Sequence, residues 1–162
     1  MFATIKSFAD DTRALLAIIN QNDTVNLQND LNCIYCWADT NNLKFNDLKF
    51  ELLQYGDNDD LKTLHQYLSS SKKLIEASSS VCDLGVLLSN DCTFKSHIHS
   101  LIDGAKKRAD WVLRTFRCRN SNAMLTLWKS MVLPKLEYCS QLWCPVKKGD
   151  SLRLEEIQRS FV

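Results

Sequence analysis

Phe2-Ala3-Thr4-Ile5-Lys6-Ser7-Phe8-Ala9-Asp10-Asp11-Thr12-Arg13-Ala14-Leu15-Leu16-Ala17-Ile18-Ile19 sets the terms on which the rest of the chain is read. Residues 2–8 are apolar and β-branched in rough alternation, and residues 12–19 return to that character, so the acidic step between them reads as strand, tight turn, strand. Asp tolerates turn backbone. Two ionised carboxylates side by side repel one another, and a divalent cation, which prefers hard oxygen ligands, reverses that penalty. Asp10 and Asp11 are therefore candidate metal ligands, of the kind that hold two ions about 4 Å apart during in-line phosphoryl transfer. Taken alone, an Asp-Asp pair is more often a solvated turn.

The residues beyond the hairpin change that balance. Leu27-Gln28-Asn29-Asp30-Leu31-Asn32, Trp37-Ala38, Asn41-Asn42-Leu43-Lys44-Phe45-Asn46, Lys49 and Asp83-Leu84-Gly85-Val86 come in order after it. Leu113-Arg114-Thr115-Phe116, Leu127-Trp128-Lys129-Ser130, Leu136-Glu137-Tyr138-Cys139-Ser140-Gln141-Leu142-Trp143 and Ile157-Gln158-Arg159 continue the series. Across nearly its whole length the chain resembles the reverse transcriptases of non-LTR (LINE-type, jockey-like) retrotransposons. The resemblance implies that residues 8–11 are the catalytic hairpin called motif C, with Asp10 and Asp11 facing Mg²⁺ and Phe8 where many of these enzymes have Tyr. It implies that Lys49 is the motif D lysine, placed to protonate departing pyrophosphate as a positioned general acid. On the residues alone, Lys49 is a solvated lysine at a strand end. Residues 81–88 look like motif E, the primer grip, where Leu84 and Gly85 would bring backbone close to the primer end. Glycine in an apolar strand equally fits a bulge.

The implied architecture is α+β: a partial polymerase palm over residues 1–92 and a helical thumb with the following region over residues 93–162. The implied activity is RNA-directed DNA polymerisation, with an RNA template, a DNA primer and deoxynucleotides as partners of the full-length parent. Family members take a further Asp from motif A, and motif B and the fingers also precede motif C. Almost nothing precedes the hairpin here, so the expectation is a C-terminal portion that lacks full metal ligation and a nucleotide clamp, and is inactive alone. A second reading is a non-catalytic nucleic-acid-binding or partner-binding remnant. In either case the first hairpin is expected to expose an unpaired edge and apolar surface.

Composition agrees with a folding chain: 162 residues, 45% hydrophobic and 24% charged, can bury a core. No run approaches the roughly 18 apolar residues of a membrane span, and the N-terminus lacks a signal-peptide layout, so a reducing intracellular compartment is the expectation. A net charge of +1 hides a division. Residues 1–60 carry four basic and ten acidic side chains, net −6, whereas residues 61–162 carry sixteen and nine, net +7. An acidic part around a metal and a basic part meeting phosphate suit a polymerase. The basic charge peaks at Lys106, Lys107, Arg108, Arg114, Arg117 and Arg119, opposed there only by Asp110. On one helix these cations could track a phosphate backbone, or simply form a solvated face.

The remaining elements are read from periodicity. Asp23 is a candidate cap for a helix with Leu27, Leu31, Ile34, Tyr35 and Ala38 on one face, ended by Asn41-Asn42. Residues 43–45 and 50–55 read as strands around Lys49. Residues 65–68, 72–77 and 81–88 read as a small antiparallel set joined by Ser-rich connections. Phe94, Ile98, Leu101, Ile102, Ala105, Ala109, Val112, Leu113 and Phe116 form one long helical stripe. Ser121 is a candidate cap for a helix broken by Pro134, and Asp150 or Ser151 for a last helix carrying Leu154, Ile157 and Phe161. Cys33 and Cys36 have C-x-x-C spacing, but a zinc reading is set aside because they sit inside a helix beside its core stripe and the looser Cys139/Cys144 pair lacks knuckle spacing. His97 and His99 are expected on the surface. Four glycines exclude a Gly-rich phosphate loop.

Overall fold

A computed structural model describes residues 2–56, 58–117 and 120–161; Arg119 of the basic cluster lies outside them. The described chain is α+β, largely helical with three separate two-stranded sheets. It divides into two compact units, Met1–Val81 and Cys82–Val162.

In the first unit, β1 (Thr4–Phe8) and β2 (Asp11–Leu15) pair antiparallel, with Phe8 opposite Asp11 and Thr4 opposite Leu15. The second strand is shorter than the expected residues 12–19 for a backbone reason. The N–H groups of Phe2 and Ala3, which an extended ladder would need, donate instead to Asp30 Oδ2, at 2.6 Å from Ala3. The sheet stops at two strands, and Phe8 and Ile19 remain 68% and 79% exposed. Within the two strands only Ile5 and Ala14, opposite one another, are half-buried.

Asp30 sits on α1 (Gln21–Thr40), whose Leu27, Leu31 and Ile34 are half-buried and whose Tyr35 and Ala38 are buried. Its cap is Asn20, not Asp23: the Asn20 side chain accepts from the Asp23 N–H while the Asp23 carboxylate accepts from the Asn20 N–H. This reciprocal box satisfies two donors that the first turn cannot use itself. At the other end Asn42 adopts φ +56°, and the N–H groups of Asn42 and Leu43 return to the carbonyls of Asp39 and Ala38. Asn takes the left-handed position that glycine usually fills.

The strands expected around Lys49 give way to packing. Phe45 and Phe50 both turn onto Tyr35, with ring centroids 5.8 and 5.7 Å away, so the chain between them folds into a single 3₁₀ turn, Asp47–Lys49. Only Leu52–Leu53 (β3) remains extended, and it pairs parallel with Ala77–Ser78 (β4). Between them lies the short α2 (Asp59–Thr63). Of the expected antiparallel set, residues 80–83 and 86–89 form a hairpin, whereas between residues 65–68 and 72–77 a single antiparallel bridge remains, Leu68 to Leu74. The Gln28 amide explains why: its Oε1 accepts from the Leu68 N–H at 2.8 Å and its Nε2 donates to the Leu68 carbonyl at 3.2 Å. Tyr35 donates to the same carbonyl.

A hairpin of β5 (Ser80–Asp83) and β6 (Val86–Ser89) straddles the division and opens the second unit, whose remainder is helical. In α3 (Lys95–Thr115) the predicted stripe is the core face: Ile98, Leu101, Ile102, Ala105, Ala109 and Val112 are buried, although Phe116 at its end is exposed. Asn120, one residue before the expected Ser121, caps α4 (Ser121–Leu127). The helix continues through a π turn at Trp128–Val132 into α5 (Leu133–Glu137) rather than breaking at Pro134. Proline lacks an N–H and crowds the carbonyl four residues back, and the wider turn before it accommodates both effects. Cys139, at φ +52°, reverses the chain into α6 (Ser140–Trp143). The last helix, α7 (Lys148–Phe161), starts ahead of Asp150. Trp128, Val132, Trp143, Ile157 and Phe161 close on the α3 stripe. Among the described residues no helix is long and apolar enough to cross a membrane.

Burial alone would raise the Asp30 carboxyl, but the N–H groups of Ala3 and Phe2 outweigh it and hold its pKa below the ordinary carboxylate value. Stabilisation from this group is full above the unfolded value and is lost as pH falls through the depressed folded one. Asp30→Ala is expected to cost about 1–3 kcal/mol by leaving buried donors unsatisfied. Amide exchange should locate the loss at Ala3 and the hairpin behind it, with α3 unchanged.

Candidate metal hairpin and nucleic-acid interface

The β1–β2 reversal has Ala9 and Asp10 as its two central residues, with Ala9 at φ +53°. A non-glycine residue there carries local strain, and the register to either side holds it. Asp10 is thus at the corner and Asp11 is the first residue of β2, both exposed. Strand alternation puts Asp11 on the face that carries Phe8, Lys6 and Arg13, with Lys6 directly opposite Arg13. Ser7 and Thr12 pair through their hydroxyls at 3.0 Å on the other face. Like charges facing across a ladder are unfavourable, and Asp11 on the same face is of opposite sign. Lys6 and Arg13 belong to no motif in the sequence; the signal that pairs them is the two-residue turn, which fixes the register.

Adjacent carboxylate oxygens are the donors Mg²⁺ prefers, yet the octahedral ion needs six ligands. Among the described residues no group of three or more His, Cys, Asp or Glu side chains converges on a metal position. Asp10 and Asp11 by themselves offer at most two carboxylate donors.

Lys49 ends the 3₁₀ turn with its side chain exposed, not at a strand end. The turn is braced by its first residue. Asp47 takes hydrogen bonds chiefly from Ser71, then Ser70 and Ser69, which hold its carboxyl below the usual range, and Ser70 Oγ lies 3.0 Å from Asp47 Oδ1. The serine run expected as a bare connection therefore positions the lysine segment.

In the second unit, Leu84 and Gly85 form the exposed two-residue turn between β5 and β6, at φ +46° and +82°. Two positive φ values match the twist of a tight hairpin. The Tyr138 hydroxyl donates to the Leu84 carbonyl at 2.8 Å, and a Cβ on Gly85 would lie 3.4 Å from the Tyr138 ring. Tyr138 therefore covers this turn, a contact no local pattern announces. His97, expected at the surface, is buried: Nδ1 accepts from the Leu87 N–H at 3.2 Å and the ring packs edge-on against Trp143. His99 is exposed as expected.

On α3 the exposed cations Lys106, Lys107, Arg108 and Arg114 lie off the core stripe, and exposed Arg117 comes just after the helix. Arg114 Nε donates to the Asp110 carbonyl at 3.3 Å, which uses one of its five donors. Cys33 and Cys36, expected beside the α1 core, are both exposed, because the buried face of that helix runs through Asp30, Tyr35 and Ala38.

No family model, curated protein or solved structure matches this chain.

Two substitutions separate tight backbone from tolerant backbone. Gly85→Ala is expected to destabilise by about 1 kcal/mol or more, since it strains a positive φ. At Gly104 in α3 the obstacle is only the mobile end of Lys135, with Nζ 2.6 Å from an added Cβ. Gly104→Ala is therefore expected to be neutral or stabilising, because it gains helix propensity. Urea unfolding of both variants checks the contrast. Burial lowers the pKa of His97 below its ordinary value. Its contribution is full above the unfolded value near 6.5 and is lost as pH falls below it. Melting followed by tryptophan fluorescence should show this loss setting in as pH falls from about 6.5 to 5.5, with a shallower decline in His97→Gln.

Proposed function

We propose that the chain is the palm and thumb portion of an RNA-directed DNA polymerase of the non-LTR retrotransposon type, catalytically incomplete by itself. The observation that carries the reading is the first hairpin: two neighbouring exposed carboxylates, Asp10 in the two-residue turn and Asp11 at the start of β2, the latter on the strand face that also carries Lys6 and Arg13. In this reading Asp10 and Asp11 hold Mg²⁺, which when bound activates a primer 3′ hydroxyl and stabilises the leaving oxygen. Lys6, exposed on the same face as Asp11, attracts nucleotide phosphate. Lys49 donates a proton to departing pyrophosphate, on a turn braced by Asp47 and the serine run. The turn at Leu84 and Gly85 approaches the primer, and the α3 cations meet the phosphate backbone of the template and primer.

A second reading, a non-catalytic nucleic-acid-binding chain, is favoured by the exposed basic face of α3. One experiment separates the two. Single-turnover primer extension on an RNA template with Mg²⁺ should be absent for the chain alone. It should appear when the chain is joined behind the fingers and upstream palm of a non-LTR reverse transcriptase. In that fusion Asp10→Asn should reduce extension to background, and Lys49→Ala should slow it by about a hundredfold or more. Extension that survives Asp10→Asn refutes the polymerase reading.

A further inference from the structure

Trp111 occupies an unusual position for a large aromatic side chain. Its helix buries Ala109 and Val112 on either side, so the same periodicity that sends those residues inward turns Trp111 toward solvent, where it is 44% exposed. Residues three and four positions away are its neighbours on the helix surface. These are Lys107, Arg108, Arg114 and Thr115, three of them cations. Phe116 braces the indole edge-on, with ring centroids 6.3 Å apart and planes at 85°. Arg117 comes immediately after. The aromatic core of a protein-docking surface is depleted in charge, and this one is ringed by it. An exposed indole among cations suits a ligand with flat unpaired rings joined by anions.

We propose that the outward face of α3 binds single-stranded nucleic acid, with Trp111 stacking on an unpaired base while Lys107, Arg108 and Arg114 hold the flanking phosphates. The proposal rests on the nucleic-acid reading of the basic helix and adds a preference to it. Cations alone follow phosphates on a single strand or a duplex alike. An indole gains its stacking energy only from a base that is out of its pair, and does so with little regard to sequence because every base presents a π face. Lys107 and Arg114 lie two turns apart, about 10 Å along the helix, with Trp111 between them, so phosphate on both sides of one stacked base can be engaged together.

Fluorescence anisotropy of the full chain with a labelled 20-nucleotide oligo(dT), and with a 20-base-pair duplex, tests the idea at two salt concentrations. Trp111→Ala is expected to weaken oligo(dT) binding by about tenfold to a hundredfold and to leave duplex binding within about twofold. Trp111→Phe should retain most of the single-strand affinity. Lys107→Ala with Arg114→Ala should weaken both ligands and flatten the salt dependence. Trp111 makes no part of the buried core, and unchanged melting of each variant confirms a folded comparison. Equal losses on both ligands, or an unchanged oligo(dT) affinity in Trp111→Ala, overturn the stacking role while leaving phosphate tracking intact. Absence of binding to either nucleic acid, or displacement of oligo(dT) by polyglutamate as readily as by unlabelled oligo(dT), overturns the proposal together with the nucleic-acid reading of α3. None of these outcomes touches the metal hairpin, which primer extension tests separately.

Discussion

Burial of one stripe along α3 organises the second unit. Ile102, Ala105 and Val112 have no solvent exposure, and Trp128, Val132, Trp143, Ile157 and Phe161 come to them from three later segments. Apolar burial is non-directional and scales with area, so a straight helix with one continuous apolar face can collect such short, interrupted pieces. The π turn before Pro134 and the reversal at Cys139 are tolerable because both neighbours, Val132 and Trp143, are locked into that core. The inward stripe also dictates what faces outward: once Ala109 and Val112 are buried, Lys107, Trp111 and Arg114 must share the opposite surface.

The first unit depends less on area and more on side chains that satisfy backbone. Asp30 holds the N–H groups of Phe2 and Ala3, Gln28 holds both polar groups of Leu68, and the serines 69–71 hold Asp47. The first two substitute for ladder hydrogen bonds, which is why the sheets are short. The hairpin bearing Asp10 and Asp11 consequently has one anchored end and a largely exposed, mixed polar and apolar body.

Sequence patterns were most informative where a residue's role is local. The acidic pair sits at a reversal because two strand-like runs, residues 2–8 and 12–19, flank it closely; α1 and α3 are set by 3.6-residue periodicity. Caps were displaced by a few residues, Asn20 for Asp23 and Asn120 for Ser121, because several neighbouring polar side chains can serve and only the entry path of the chain selects one. The strands expected around Lys49 reduce to Leu52–Leu53 because Phe45 and Phe50 both pack on Tyr35, a long-range preference that overrides local β propensity. Burial of His97 and exposure of Cys33 and Cys36 depended on which neighbours arrived.

By itself, then, the amino-acid order determined the α+β class, the acidic hairpin tip, the core face of the long helix and the opposition of an acidic first part to a basic second. These are read from spacing, turn chemistry and charge, which act over a few residues. Only the tertiary structure decided that Lys6 faces Arg13 beside Asp11, that serines brace the Lys49 turn, that Tyr138 covers the Leu84–Gly85 turn, and that Trp111 stands among cations in solvent. Register and side-chain packing settle such contacts, and both are properties of segments meeting in space rather than of any one segment.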